Sequence, residues 1–111
     1  MNKSPKQIEA QYRRLVRRLA QTQWISHGYV QDRGPGAGGP CYQWTRKVRG
    51  KTVSVALSKE QYLWLKLAIR NWHTVQATLL QMEQLSRTLM FQTLPDTRRR
   101  KPLSKSVMGT K

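Results

Sequence analysis

The sequence predicts an α+β fold: an N-terminal amphipathic helix, a small antiparallel β-hairpin or three-stranded sheet, a long C-terminal helix and a disordered basic tail. Three observations carry this. Apolar residues recur at helical spacing from Ile8 to Leu19 and again from Leu65 to Leu89. Residues 42–57 alternate instead, with Arg49 and Gly50 at their centre, and all periodicity stops after Pro95. The predicted organisation is a single helix/hairpin/helix domain over residues 1–93, with a flexible glycine-rich loop at 34–40, followed by a basic tail over 94–111.

The first helix starts where Ser4 can cap, Pro5 suits the first helical position and Gln7 completes a capping box. Ile8, Tyr12, Leu15, Val16 and Leu19 step by three and four, which predicts a helix from about residue 5 to about residue 25. Arg13, Arg14, Arg17 and Arg18 crowd its other face, with Glu9 as the only acid nearby. A solvated face is the plain explanation. Four like charges this close repel one another, however, and contact with phosphates would relieve them.

Five of the chain's seven glycines fall between residues 28 and 40, in GYVQDRGPGAGGP. Tyr29 and Val30 suit a short edge strand, whereas residues 34–40 have too little side chain to pack and read as a flexible loop. The run is not a phosphate-cradling loop, since it lacks the Gly-Lys-Ser/Thr ending and no helix follows it.

A two-residue turn at Arg49 and Gly50 pairs Tyr42 with Leu57, Trp44 with Val55 and Arg46 with Val53 on one face. Gln43, Thr45, Lys47, Thr52 and Ser54 then point the other way, because side chains alternate along a strand. The hairpin is apolar on one side and hydrogen-bonding and basic on the other. Ser58 and Gln61 form a second capping box, and no proline or glycine intervenes before about Gln92. One helix of about 30 residues is expected, roughly 45 to 50 Å long. Leu65, Ala68, Trp72, Val75, Leu79 and Met82, continued by Leu85 or Ser86 and Leu89, make its seam. The first helix covers only about two-thirds of this length, so a homodimer through the far half, with Leu79, Met82, Leu85 and Leu89, is an expectation. Trp44 and Trp72 are assigned to the core, and Trp64, off the seam, is either the candidate exposed aromatic or a cap on the hairpin.

The tail DTRRRKPLSKSVMGTK has Arg98, Arg99, Arg100 and Lys101 in a row and no apolar pattern, so it is expected to be disordered and to order on a phosphate backbone.

Catalysis finds no foothold. His27 and His73 lie in different elements, and Glu9, Asp32, Glu60, Glu83 and Asp96 are scattered singly, without the spacing of a metal site or an acid/base pair. Cys41 is the only cysteine, which rules out an intrachain disulfide and a cysteine-based structural zinc site and fits a reducing cytosol; it reads as a buried structural thiol. No secretory h-region or run of transmembrane length is present, so a cytoplasmic, nucleoid-associated protein without cofactor, metal or membrane attachment is expected.

Charge is the dominant feature. The 111 residues carry 21 Lys and Arg against five Asp and Glu, a net charge of +16. Such an excess repels itself unless a polyanion neutralises it, and nucleic acid is the commonest one. The expected interface is the hairpin's polar face with the basic face of the first helix. Arg46, Lys47, Arg49 and Lys51 around the turn would anchor the backbone, and Gln43 and Thr45 would read bases in a major groove that admits a two-stranded ribbon.

The run GPCYQWTRKVRGKTVSVALSKEQ, residues 39–61, resembles a family of small bacterial proteins, a domain of unknown function often encoded beside insertion-sequence transposases. Its pattern is a Gly-Pro-x-Tyr start, an aromatic strand, a Lys/Arg-Val-x-Gly-Lys turn and a long helix, matched loosely over residues 28–89. Many relatives carry several cysteines before the Gly-Pro, where this chain has QDRGPGAGG, so metal binding there is not implied. The resemblance implies a mobile-element accessory with a transposase or nuclease as larger partner. A looser likeness, to the three-stranded DNA-reading sheets of some phage-type integrase arms, is analogy at the level of fold. The expected function is therefore DNA binding in support of a mobile element. The alternatives are an RNA-binding component of a ribonucleoprotein and a helical adaptor docking a larger protein.

Overall fold

The structure is a computed structural model and describes residues 3–36 and 39–94. Its elements are α1 (Pro5–Ala20), β1 (Tyr29–Gly36), β2 (Gly39–Val48), β3 (Lys51–Leu57) and α2 (Lys59–Thr93). The three strands form one antiparallel sheet in the order β1-β2-β3, so the α+β fold is the observed one. The tail, with Arg98, Arg99, Arg100 and Lys101, lies outside the described residues. The fold divides into two compact units, one made of α1 and α2 from Gln76 onward, the other of Thr22–Val75.

In the first unit the capping box forms as expected. Gln7 N–H donates to Ser4 Oγ at 3.3 Å and Ser4 N–H donates to Gln7 Oε1 at 2.8 Å. The helix stops at Ala20, five residues short of the expected end, and Gln21 N–H turns back to the Arg18 carbonyl at 3.1 Å. Thr22 and Gln23 explain the early stop: they occupy the next seam positions after Leu19 and offer no apolar surface to offset the ordering of a further turn. Ile25, expected inside the helix, lies beyond it and is exposed.

Among the described residues of this unit, Ile8, Leu15 and Thr78 are buried. Gln92 Nε2 donates to the Lys3 carbonyl at 3.1 Å, which fastens the start of α1 beside the end of α2. The far half of α2, expected to be the uncovered end, thus shares a compact unit with α1. The seam also differs from the expected one. Thr78 is 2% exposed where the periodicity pointed to Leu79, which is 41% exposed. A heptad reading assumes one neighbour along the whole helix, whereas α2 contributes to two units with different neighbours.

The second unit is built on the hairpin. Tyr42 pairs with Leu57, Trp44 with Val55 and Arg46 with Val53, as expected. Arg49 at φ 49° and Gly50 at φ 80° both adopt the left-handed conformation that a tight two-residue hairpin turn requires. The glycine-rich segment corrects the expectation of a loop at 34–40. Backbone pairing continues through Pro35 with Pro40 and Gly36 with Gly39, so the segment closes a β1–β2 hairpin. The register shifts between Asp32 and Pro35. There Gly34, at φ 74°, donates its N–H to Asp32 Oδ1 at 2.9 Å, a side-chain turn that absorbs the shift. Proline is tolerated because β1 is an edge strand and Pro40 stands near the start of β2.

Ser58 and Gln61 cap α2 reciprocally, at 2.9 and 3.1 Å. The segment before β1 is held to the same helix: Ser26 N–H donates to the Ala68 carbonyl at 3.2 Å, and Asn71 Nδ2 donates to the Trp24 carbonyl at 2.9 Å. Ala68 and Ile69 are buried, and the Tyr42 and Tyr62 rings stack with centroids 4.8 Å apart. Trp44, Trp72 and Cys41 are half-buried where full burial was expected.

Candidate nucleic-acid interface

The ladder registers define a projecting ribbon. Pairing of β1 with β2 ends at Tyr29 and Thr45, whereas β2 and β3 stay paired on to Val48 and Lys51. Residues 46–53 therefore extend beyond the third strand as a two-stranded ribbon of about 10 Å, three residues a side. Four of these eight residues are cationic: Arg46, Lys47, Arg49 and Lys51. No Asp or Glu occurs between Asp32 and Glu60, so the chain around the ribbon supplies no neutralising carboxylate.

The four cations are not equivalent. Lys47, Arg49 and Lys51 are exposed, with Arg49 in the turn itself. Lys47 Nζ donates to Thr52 Oγ1 at 2.7 Å, which holds its charge along the polar face. Arg46 points to the opposite face, where its guanidinium carbon lies 4.2 Å from the centroid of the Trp44 ring. Its Nη1 is buried without a hydrogen-bond partner among the described residues. Arg46 lies on the face of Trp44, where the expected register put it, although it was also counted among the cations around the turn.

On the polar face, Gln43 Oε1 accepts from Arg33 Nη1 at 3.3 Å. Thr45 is 7% exposed, and its hydroxyl is 3.0 Å from Ser54 Oγ. Of the two residues expected to read bases, Gln43 is half-buried and engaged through its carbonyl oxygen, and Thr45 is enclosed. Arg33 is a cation on this face that sequence patterning overlooks, because the expected first strand ends near Val30 and Gln31, Asp32 and Arg33 show no apolar alternation.

Arg13, Arg14, Arg17 and Arg18 are all exposed on α1. They belong to the first unit and the hairpin cations to the second. Arg17 and Arg18 occupy the last helical turn, where positive charge also complements the helix dipole.

No protein-family model, curated protein or solved structure matches the chain. Among the described residues no three His, Cys, Asp or Glu side chains gather as a metal site, and no helix is long and apolar enough to cross a membrane.

The reverse face of the hairpin carries a feature that sequence patterning does not reveal. Trp44, Val55 and Leu57 of the sheet and Gln61, Trp64 and Leu65 of α2 line a cleft of about 300 Å³. Trp64 is 54% exposed, as its place off the seam predicted, and Leu63 and Leu67 beside it are 53% and 55% exposed. Leu63, Trp64 and Leu67 fall within about 100° of one another around the helix, so they form one apolar strip.

Proposed function

We propose that this chain is a non-catalytic nucleic-acid-binding accessory protein, acting on DNA in the bacterial cytoplasm beside the transposase or nuclease of a mobile element. The observation that supports it most is the ribbon of residues 46–53, in which Lys47, Arg49 and Lys51 are exposed with no carboxylate in the adjoining sequence. A projecting two-stranded ribbon matches a major groove about 12 Å wide, and its cations gain by displacing counterions from phosphates. The exposed arginines of α1 are a second basic surface, carried by the other unit.

The binding expected of such a surface is dominated by phosphate contacts, strongly dependent on salt and weakly selective for sequence. Fluorescence anisotropy of a labelled DNA duplex, titrated with the full chain over a series of salt concentrations, tests it. A steep negative slope of log affinity against log salt supports the reading. No measurable binding even in dilute buffer removes it. The same titration with an RNA duplex separates the two nucleic acids, and a partner protein retained at high salt would favour an adaptor.

A further inference from the structure

The cleft between Trp44 and Trp64 is a poor surface to leave in water, since both indoles and the aliphatic groups of Val55, Leu57 and Leu65 face it. We infer that it takes an unpaired nucleobase, so that the chain holds single-stranded or locally opened nucleic acid at this cleft in addition to the duplex that the ribbon meets. This rests on the nucleic-acid reading above but assigns a separate site, on the opposite face of the hairpin from Gln43 and Lys47.

Three features select this occupant. Two of its six lining residues, Trp44 and Trp64, are indoles, and a base is the planar group that stacks on an indole whatever its sequence. The volume, about 300 Å³, lies at the small end for ligand sites and is enough for a single ring system. The surroundings are cationic: the Arg46 guanidinium lies against the Trp44 ring, Lys51 falls on the same strand face by its pairing with Val48, and no carboxylate occurs from residue 33 to residue 59. A second copy of this chain brings another +16 charge to the contact and is repelled, whereas a polyanion is drawn in. Trp44 lies two residues from Arg46 on the same strand face, about 7 Å along the strand. A nucleotide whose base enters the cleft therefore has its phosphate on the strand face that carries Arg46 and Lys51.

The test compares a thymidine oligonucleotide, single-stranded, with the duplex it forms with its complement, using the full chain and Trp64→Ala. The variant is expected to lose about tenfold in single-strand affinity and to leave duplex affinity within about twofold, given the usual worth of one stacked base. Trp64→Phe, which keeps an aromatic face, should restore most of the affinity. A readout independent of any variant is photocrosslinking of the wild-type chain to a 5-iodouracil oligonucleotide, mapped by mass spectrometry. Adducts at Trp44 or Trp64 support the site, and adducts confined to Trp24 or to other segments overturn it. Unchanged single-strand binding by Trp64→Ala, an equal loss on both probes, or a dimer that this substitution dissociates also overturns it. A wild-type chain that binds duplex but not single strand sinks this inference alone, and one that binds neither sinks the nucleic-acid reading with it.

Discussion

Gly28 lies directly against the indole of Trp44: a Cβ built at Gly28 would stand 2.6 Å from Trp44 Nε1 and 2.7 Å from the Thr45 carbonyl oxygen. The same Nε1 donates to the His27 carbonyl at 3.0 Å. The left-handed φ of 96° at Gly28 and this close approach together turn the chain from the segment before β1 onto the central strand. Gly28→Ala is expected to destabilise the fold by about 2 kcal/mol or more, because it adds a steric clash to the left-handed penalty. Gly34→Ala meets no atom within 4 Å and carries only that penalty, about 1 kcal/mol. Urea midpoints of the two variants should fall in this order, and equal midpoints would show that the approach of Gly28 to Trp44 is unimportant.

At the ribbon's tip, charge and turn geometry are separable. Arg49 is a non-glycine residue at φ 49°, a conformation that asparagine adopts more readily. Arg49→Asn should therefore leave stability unchanged or slightly raised while weakening DNA binding. Combined with Lys51→Ala it should reduce the slope of log affinity against log salt by about 2 units, near 0.9 for each phosphate that is no longer neutralised. An unchanged slope would move the interface away from the ribbon.

Much of this ribbon was legible in the sequence, because local chemistry decides it. The Arg49-Gly50 turn fixes the register, and a register once fixed assigns every side chain to a face. The capping boxes at Ser4 and Ser58 are local too, and both formed. What the sequence did not disclose depends on distant partners. Pairing of Pro35 with Pro40 needs β1 to find β2 across a glycine-rich turn, where composition alone suggests a loop. Thr78 in place of Leu79 reflects which neighbour each part of α2 meets, and the cleft beside Trp64 exists only where α2 folds back on the sheet within its unit.

Arg46 serves packing as well as charge. Its guanidinium covers the Trp44 ring, yet Nη1 is enclosed without a hydrogen-bond partner among the described residues, a cost that an apolar side chain of similar length would avoid. Arg46→Met is expected to match the wild type in thermal midpoint within a few degrees, whereas Arg46→Ala uncovers the indole and loses about 1 to 2 kcal/mol. Calorimetry distinguishes the two. A Met variant as unstable as the Ala variant would show that the cation–π interaction outweighs the enclosed donor.

The entry to α2 is a further point of leverage. The Ser58 hydroxyl accepts from Gln61 N–H at the junction where β3 passes directly into the helix, so the cap also fixes where the helix departs from the sheet. Ser58→Ala should cost about 1 kcal/mol, and Ser58→Asp should recover it, since aspartate caps as well and complements the dipole. Denaturant titration reads both, and no recovery with aspartate would mean that the hydroxyl's role lies elsewhere.

In the far half of α2 the heptad pattern and the structure disagree. Thr78 is enclosed at 2% exposure, and Leu79 and Leu80 next to it are 41% and 51% exposed. With Thr78 facing inward, Leu79 is only partly buried, and Leu79→Ala costs about 1 kcal/mol at any protein concentration. Thr78→Leu forces added volume into a closed site and costs about 1 to 3 kcal/mol. A dimer joined through Leu79, Met82, Leu85 and Leu89 would reverse the order, making Leu79→Ala the damaging change and its effect dependent on protein concentration. Urea titrations of both variants at two protein concentrations, with sedimentation velocity on the wild type, decide between a half-helix paired with α1 and one paired with its own copy.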